Sequence, residues 1–142
     1  MIYAIWFTLI TILVLSILYS QGYFGFKGMQ QSIPQLPYLD KEETIDFYRN
    51  VLGFEVSDDW DGYIITRKDK IEIHLWQCKD ENLPKNTGCY IRYGRNIEDL
   101  YLKYSKAAII HEHGKLELKP WGMKQFSILD NSGNIIHVGQ NT

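Results

Sequence analysis

The stretch IEIHLW, Ile71 to Trp76, alternates apolar residues with residues that can do chemistry. Successive side chains of an extended strand point to opposite faces, so Glu72, His74 and Trp76 share one face. A carboxylate and an imidazole in this position could bind a metal ion or exchange protons, and an indole could stack on a flat ring. Because the apolar residues of the stretch take the other face, we predict that the Glu72 face lines a cleft.

A further histidine, His137, lies near the end of the stretch LDNSGNIIHVG, Leu129 to Gly139. The first half of this stretch consists of turn-forming residues and the second half is β-branched and apolar, which predicts a turn followed by a strand. Three roles are open for His137: a metal ligand, a catalytic base or a half-buried ring. A metal-dependent reaction would use Glu72, His74 and His137 together.

Aromatic residues and nearby acids form a second group of candidates. They are Trp60, which follows Asp58 and Asp59, together with Trp76, Tyr90 and Trp121. Exposed aromatic faces could stack on flat rings, and carboxylates could attract a cation. The alternatives are an exposed hairpin tip for Trp60, loop packing for Trp121 and core positions for Trp76 and Tyr90.

Other classes of site have little support in the sequence. His111 and His113 form the pattern HEHG without a third ligand nearby, which favours a solvated loop. Cys78 and Cys89 lack the spacing of a zinc site or a disulfide framework, and no glycine-flanked serine elbow occurs. The net charge of -2 argues against a nucleic-acid-binding protein.

The candidates must be positioned by an α+β fold. Residues 32–77 predict a strand, a helix and three further strands, and residues 87–140 repeat this order. Asp40 predicts the start of the first helix, Gly53 its end, and Asn96 caps the second helix. Two such β-α-β-β-β modules predict a curved mixed sheet with an open cleft on its concave face and helices on the outside.

Residues 1–28 differ from the domain expected at 29–142. Ile2 to Tyr19 is almost entirely apolar, about the length of a membrane-spanning helix, and aromatic residues flank it. Lys27 is the only charge in this segment and places the domain in the cytoplasm, tethered to the inner face of the plasma membrane. The competing interpretation is that translation starts at Met29 and the hydrophobic segment is not made.

Two longer motifs resemble a known superfamily. FYRNVLGFEV and LDNSGNIIHVG are similar to the first helix with its strand and to the final hairpin of vicinal-oxygen-chelate proteins, which include glyoxalases, extradiol dioxygenases and bleomycin resistance proteins. The resemblance implies four metal-ligand positions. Ile33 and Gly88 occupy two of them and cannot ligate, so we expect no catalytic metal and no cofactor.

Shorter motifs resemble the bleomycin resistance branch of this superfamily. They are GNIIHV, PWGMKQF, PKNT and NIEDLYLKY. The resemblance implies a non-enzymatic protein that binds and sequesters bleomycin-type glycopeptides, whose flat bithiazole tail and cationic end suit aromatic and acidic residues. The ligand-binding residues implied are Trp60, Trp76, Tyr90, Trp121, Asp58, Asp59, Glu72, His74 and His137.

Prolines near residue 35 predict how the chain assembles. Pro34 and Pro37 cannot donate ladder hydrogen bonds, which predicts a short strand at a sheet edge. In the resembling proteins the proline at the position of Pro34 helps an arm cross to a partner, which implies a domain-swapped homodimer with clefts between subunits. Two other functions stay open: a metal-dependent lyase or dioxygenase, and a binding protein for a different small molecule.

Overall fold

The structure, a computed structural model, describes residues 2–20 and 28–142. The chain divides into two compact units, Met1–Ser32 and Ile33–Thr142. The first unit contains helix α1, Ile2–Ser20. No helix within the described ranges is both long enough and apolar enough to cross a membrane, so the predicted anchor is not confirmed. Lys27, on which the predicted orientation rested, lies outside the described residues.

Module 1 follows the predicted order. Its elements are β1 Gln35–Tyr38, α2 Lys41–Asp46, a π-helical turn Phe47–Leu52, β2 Glu55–Trp60, β3 Tyr63–Lys68 and β4 Ile71–Gln77. The Asp40 carboxylate accepts a hydrogen bond from the backbone N–H of Glu43 at 2.9 Å, as an N-cap does. Gly53 ends the helical segment with φ of 78°, a conformation that side chains rarely adopt.

Module 2 repeats this order after a short 3₁₀ turn, Pro84–Asn86. Its elements are β5 Gly88–Arg92, α3 Ile97–Lys106, β6 Glu117–Leu118, β7 Met123–Leu129 and β8 Ile135–Asn141. Asn96 precedes α3 as predicted, but its side chain makes no capping hydrogen bond. The Gln140 side-chain oxygen accepts from the N–H of Ile97 at 3.0 Å and takes that role.

The strands form two four-stranded mixed sheets, in the orders β1-β4-β3-β2 and β5-β8-β7-β6. In each sheet the first and last strands of the module pair in parallel and the other pairs are antiparallel. Strand β1 lies at a sheet edge, as its prolines predicted. The α+β fold with two modules is confirmed, and its strands belong to two sheets instead of one curved sheet.

One hydrophobic core serves both modules. It contains one face of each sheet and residues of the helical segments, among them Ile73, Leu75, Tyr48, Tyr104 and Val138. Since each sheet gives one face to this core, the opposite faces point outward on two sides of the domain. We call the outward face of the sheet β1-β4-β3-β2 the module 1 face and the outward face of the sheet β5-β8-β7-β6 the module 2 face.

Candidate functional site

The module 1 face carries a chain of hydrogen-bonded polar side chains across β3 and β4. The Tyr63 hydroxyl lies 2.6 Å from Nδ1 of His74, and Nε2 of His74 lies 2.7 Å from the Glu72 carboxylate. Arg67 donates to the other Glu72 oxygen at 2.5 Å. The Arg67 guanidinium, and after it His74, hold the pKa of Glu72 below its usual range. The chain therefore fixes Glu72 as a carboxylate with both oxygens occupied.

Strand alternation on β4 is as predicted. Ile73 and Leu75 are fully buried, whereas Glu72, His74 and Trp76 are half-buried on the opposite face. Tyr63 and Arg67 join them because these residues lie opposite Trp76 and Glu72 in the antiparallel register. Residue spacing did not indicate Tyr63 and Arg67, since a cross-strand register does not appear in the spacing along one strand.

Trp60 and Asp58 extend the module 1 face along β2. Trp60 is 54% exposed, and its ring centroid lies 6.4 Å from that of Tyr63. Asp58 lies opposite Ile65 and approaches the Arg67 guanidinium at 3.9 Å. Asp59 differs, because it lies opposite the buried Ile64 and forms an ion pair with Lys41 at 2.6 Å. Its carboxylate is therefore already engaged by a lysine of the same chain.

The module 2 face is built around His137. The Ser127 hydroxyl lies 2.7 Å from Nδ1 of His137, and the Tyr90 ring centroid lies 6.3 Å from the imidazole. Burial, followed by the charges of Lys119 and His111, lowers the pKa of His137. The lowered pKa favours a neutral imidazole, which makes His137 a polar but uncharged part of this face.

Tyr90 depends on a glycine on the neighbouring strand. A Cβ atom added to Gly139 would lie 1.8 Å from the Tyr90 hydroxyl oxygen, far inside contact distance. Gly139 thus provides the space in which the phenol ring lies, while 44% of Tyr90 stays exposed. Gln125 lies opposite Gly139 on β7, and its side-chain oxygen is buried without a hydrogen-bond partner. Sequence reasoning missed Gln125 and Ser127 for the same reason as Tyr63.

Trp121 lies in the turn before β7 and is 64% exposed. The Lys119 ammonium lies 6.0 Å from its ring centroid, within cation–π range. The alternative of loop packing for Trp121 is therefore wrong, since the side chain is exposed. Its indole offers an open face at the edge of module 2.

The predicted residues thus fall into two groups within one chain. Trp60, Trp76, Asp58, Glu72 and His74 belong to module 1, whereas Tyr90, Trp121 and His137 belong to module 2. The two faces point outward on opposite sides of the shared core, so one chain does not close a cleft between them. The carbonyl oxygen of Pro34 accepts from the N–H of His74 at 3.1 Å, which joins the start of β1 to this side of module 1.

Ile33 and Gly88, at two of the four metal-ligand positions that the resemblance implies, do not fit a metal ion. Ile33 has an apolar side chain, and a Cβ atom at Gly88 would lie 2.4 Å from the carbonyl oxygen of Ile135. A ligand side chain at position 88 would therefore force β5 and β8 apart. Across residues 2–20 and 28–142, no group of three or more His, Cys, Asp or Glu side chains is placed to hold a metal ion.

His111 and His113 lie close together in the loop between α3 and β6. Their ring centroids are 5.8 Å apart, and the backbone N–H of His113 donates to Nδ1 of His111 at 3.1 Å. The imidazole of His113 is largely exposed and lies 3.3 Å from Glu112. The pair is a surface arrangement in which Nδ1 of His111 is already used.

The chain is similar to known proteins both in sequence and in structure. The family model described as Glyoxalase/Bleomycin resistance protein/Dioxygenase superfamily matches residues 34–138. A bleomycin resistance protein from Geobacillus stearothermophilus is 30% identical over 125 residues, covering 76% of this chain and 94% of the relative. A bleomycin resistance protein from Staphylococcus aureus matches with the same identity and coverage.

Solved structures with the same fold include proteins bound to drug. A bleomycin-binding protein complexed with bleomycin has a TM-score of 0.67 at 22% identity, covering 80% of this chain and 100% of that one. The bleomycin-binding protein of bleomycin-producing Streptomyces verticillus, complexed with copper(II)-bleomycin, has a TM-score of 0.70 at 18% identity, covering 82% and 100%. At these identities the similarity shows the fold.

Proposed function

The chain belongs to the glyoxalase/bleomycin resistance protein/dioxygenase superfamily, and from this premise we propose that it binds bleomycin-type drugs and sequesters them without chemical turnover. One observation carries the proposal. An exposed indole, Trp60, lies on the same sheet face as the acids Asp58 and Glu72, in a chain that matches 94% of the length of a bleomycin resistance protein.

Module 1 supplies negative charge and an aromatic surface to the proposed site. Asp58 and Glu72 surround Arg67, so the ligand-facing polar groups include two carboxylates and one guanidinium. Such a surface attracts the cationic end of a drug and orients it during association. Trp60 and Trp76 offer faces on which a flat aromatic tail can stack, and each stacked pair adds about 0.5–1.5 kcal/mol beyond its buried area.

Module 2 supplies stacking and a neutral polar wall. Tyr90 and Trp121 are both exposed enough to meet a ligand ring. His137 and Gln125 offer uncharged hydrogen-bonding groups between them, and the Gln125 oxygen has no partner within the described ranges.

We propose that the complete cleft forms between two chains. A symmetric homodimer can set the module 1 face of one chain against the module 2 face of its partner, which gives two identical clefts. The segment up to Pro34 is the arm that we expect to cross between chains, because two prolines keep β1 extended at a sheet edge. This assembly explains why the candidate residues lie on two outward faces.

Mixing two variants tests this assembly. Trp60→Leu damages the module 1 face and Tyr90→Leu damages the module 2 face. If each cleft takes one face from each chain, a mixed dimer contains one intact cleft of two. Random exchange makes half of the dimers mixed, so mixing should restore about a quarter of the high-affinity sites. Unchanged weak binding after mixing, or a monomer in light scattering that binds with full affinity, would contradict the proposed dimer.

Absence of turnover is proposed from the residues at the ligand positions. Ile33 cannot ligate, Gly88 has no room for a ligand side chain, and Glu72 and His74 are bonded to each other and to neighbours. The alternative is a metal-dependent enzyme that uses Glu72, His74 and His137. It would require His137 to approach the other two across subunits.

Calorimetric titration of the full chain with metal-free bleomycin tests the binding proposal. We expect saturable binding that Trp60→Leu weakens about tenfold, since an aromatic platform is lost. Trp6→Leu is the matched control, because Trp6 is an equally exposed indole in the first unit. Absence of saturation, or equal effects of the two substitutions, would contradict the proposed site.

A further inference from the structure

A cavity separate from both outward faces lies between the two modules. Its volume is about 300 Å³, and its walls include Phe54 and Ile71 of module 1 with Tyr104, Ile136 and Val138 of module 2. These residues belong to the core side of the two sheets or pack against it. We call this cavity the inter-module pocket. It lies on the opposite side of each sheet from Trp60 and Tyr90.

The walls of the inter-module pocket are mostly apolar, and its charged lining residues are Lys68, Asp69, Lys70 and Arg92. Protein cores are packed so closely that voids larger than a water molecule are few, and apolar side chains facing a void lose dispersion contacts. The Tyr104 hydroxyl is already used, since it donates to the carbonyl oxygen of Leu52 at 3.4 Å. The volume lies at the lower end of the range for small-molecule pockets. An apolar group of moderate length would therefore fill the pocket favourably.

Lys68 lines one edge of this pocket, and Lys103 lies next to Lys68. A Cβ atom at Gly53 would lie 3.3 Å from the Lys68 ammonium and 3.9 Å from the Lys103 ammonium, so the two ammonium groups are neighbours. Lys68 lines the pocket and donates to the carbonyl oxygen of Leu52 at 2.6 Å. Among the described residues neither lysine forms an ion pair with a carboxylate.

The charge at this edge is only partly balanced. Burial, and after it the charge of Lys103, lowers the pKa of Lys68, whereas the nearby Asp69 opposes this shift. Two like charges beside an apolar wall repel each other, and an anion between them would reduce that repulsion. A carboxylate has two oxygens and can accept from both ammonium groups.

We propose that the inter-module pocket binds a medium-chain alkyl carboxylate, with its chain between the modules and its head group between Lys68 and Lys103. The site is independent of the drug-binding proposal in place and in charge. The module 1 face presents carboxylates that suit a cation, whereas this pocket presents ammonium groups beside an apolar cavity. A ligand bound here contacts both modules and therefore stabilises their packing against each other.

Decanoate, kept below its micelle-forming concentration, is the probe for this site. The full chain is titrated with decanoate and binding is followed by calorimetry and by amide chemical shifts. We expect saturable binding with shifts centred on Phe54, Tyr104 and Val138. Lys68→Gln and Lys103→Gln should each weaken binding at least threefold, and the double variant about tenfold. Binding of 1-decanol, which has no charge, should not respond to these substitutions.

Lys106→Gln is the matched control, since Lys106 is an exposed lysine of α3, as Lys103 is, but is not one of the two lysines whose ammonium groups lie beside Gly53. It should leave decanoate affinity unchanged. Three results would overturn the proposal: no saturable binding, shifts centred on α1 or on the residues around Trp60 and Tyr90, or equal weakening by Lys106→Gln. None of these measurements uses bleomycin, so this proposal and the drug-binding proposal can fail separately.

Discussion

The module 1 face and the module 2 face show how one framework carries two kinds of chemistry. Each places a histidine on the last strand of its module, and in each Nδ1 of that histidine meets a hydroxyl from the neighbouring antiparallel strand. The difference lies at the other ring nitrogen, Nε2. His74 contacts Glu72, whereas no carboxylate of the described residues pairs with His137. Burial lowers the pKa of His137. Module 1 therefore combines its aromatic residues with carboxylates, whereas module 2 surrounds a neutral imidazole with aromatic residues and a lysine.

This difference suits a cleft with two unlike walls. An acidic wall attracts and orients a cationic ligand, while an aromatic wall supplies stacking energy that does not depend on salt. The repeated fold positions both walls, and the cross-strand neighbours of each histidine decide their chemistry. Substitutions in each wall, and in the contact that links the two modules, can test this difference.

The largest effect on stability should come from the contact that links the two modules through Asp130. Asp130 is buried in the turn of the final hairpin and accepts from the Tyr48 hydroxyl at 3.0 Å and from the Asn134 side chain at 2.7 Å. It also accepts from two backbone N–H groups of the same turn. Asp130→Ala leaves these donors unpaired, so it should lower the free energy of unfolding by about 3 kcal/mol or more.

Denaturant unfolding measures this effect. Asp61→Ala is the control, since Asp61 is an exposed acid in a hairpin turn and should change stability by no more than about 0.5 kcal/mol. Equal stability of the two variants would show that Asp130 does not hold the modules together.

The next effect isolates the aromatic wall. Gly139→Ala places a methyl group where the Tyr90 hydroxyl lies, so the phenol must move away from the module 2 face. Bleomycin binding should weaken about tenfold at low and at high salt alike, because a stacking surface is lost and no charge changes. Gly94→Ala is a matched control, since an added Cβ there meets nothing within 4 Å. Tight binding by Gly139→Ala would remove Tyr90 from the site.

A smaller and salt-dependent effect should mark the acidic wall. Glu72→Gln removes the carboxylate that Arg67 and His74 share. At low salt the affinity for bleomycin should fall by about fivefold at most, as for other partly exposed charge pairs, and the loss should disappear at high salt. Glu42→Gln on exposed α2 changes the same net charge and serves as the control. A loss that persists at high salt would contradict an electrostatic role for Glu72.

The smallest effect concerns the neutral state of His137. Its folded pKa lies below the ordinary value of about 6.5, so below that pH the unfolded chain binds more protons than the folded one. Stability is therefore lost as pH falls through this range. His137→Gln should lose less stability than the wild type between pH 7.5 and 5.5, by roughly a few degrees in Tm. His113→Gln, at an exposed site, should keep the wild-type pH dependence, and an identical loss in both variants would be the contrary result.

Local features of the fold could be predicted from the sequence because each depends on a few neighbouring residues. The alternation along β4 follows from the two-residue period of a strand, the edge position of β1 from its prolines, and the start of α2 from Asp40. The prediction of Asn96 as a capping side chain was wrong. The Gln140 side chain, 43 positions after Ile97, accepts from the first N–H of α3 instead, and no local pattern indicates such a contact.

The parts of the site that could not be predicted depend on register and packing. A β-bulge between Val56 and Asp58 shifts the pairing of β2, so Asp58 takes the outward face that simple alternation from Val56 would give to Asp59. Tyr63, Arg67, Ser127 and Gln125 join the two faces through strand pairing. The outward direction of both faces follows from the shared core, which strand patterns alone do not specify.

We propose that this chain holds bleomycin and returns it unchanged. Equilibrium dialysis followed by mass spectrometry is the direct test of this proposal. The full chain is dialysed against metal-free bleomycin. The bound drug is then released by denaturation, and its molecular mass is measured by mass spectrometry. We predict saturable uptake of one drug molecule per chain, corresponding to two clefts per dimer, and recovery of drug with its original mass. Uptake that does not saturate, or drug recovered with an altered mass, would contradict the account.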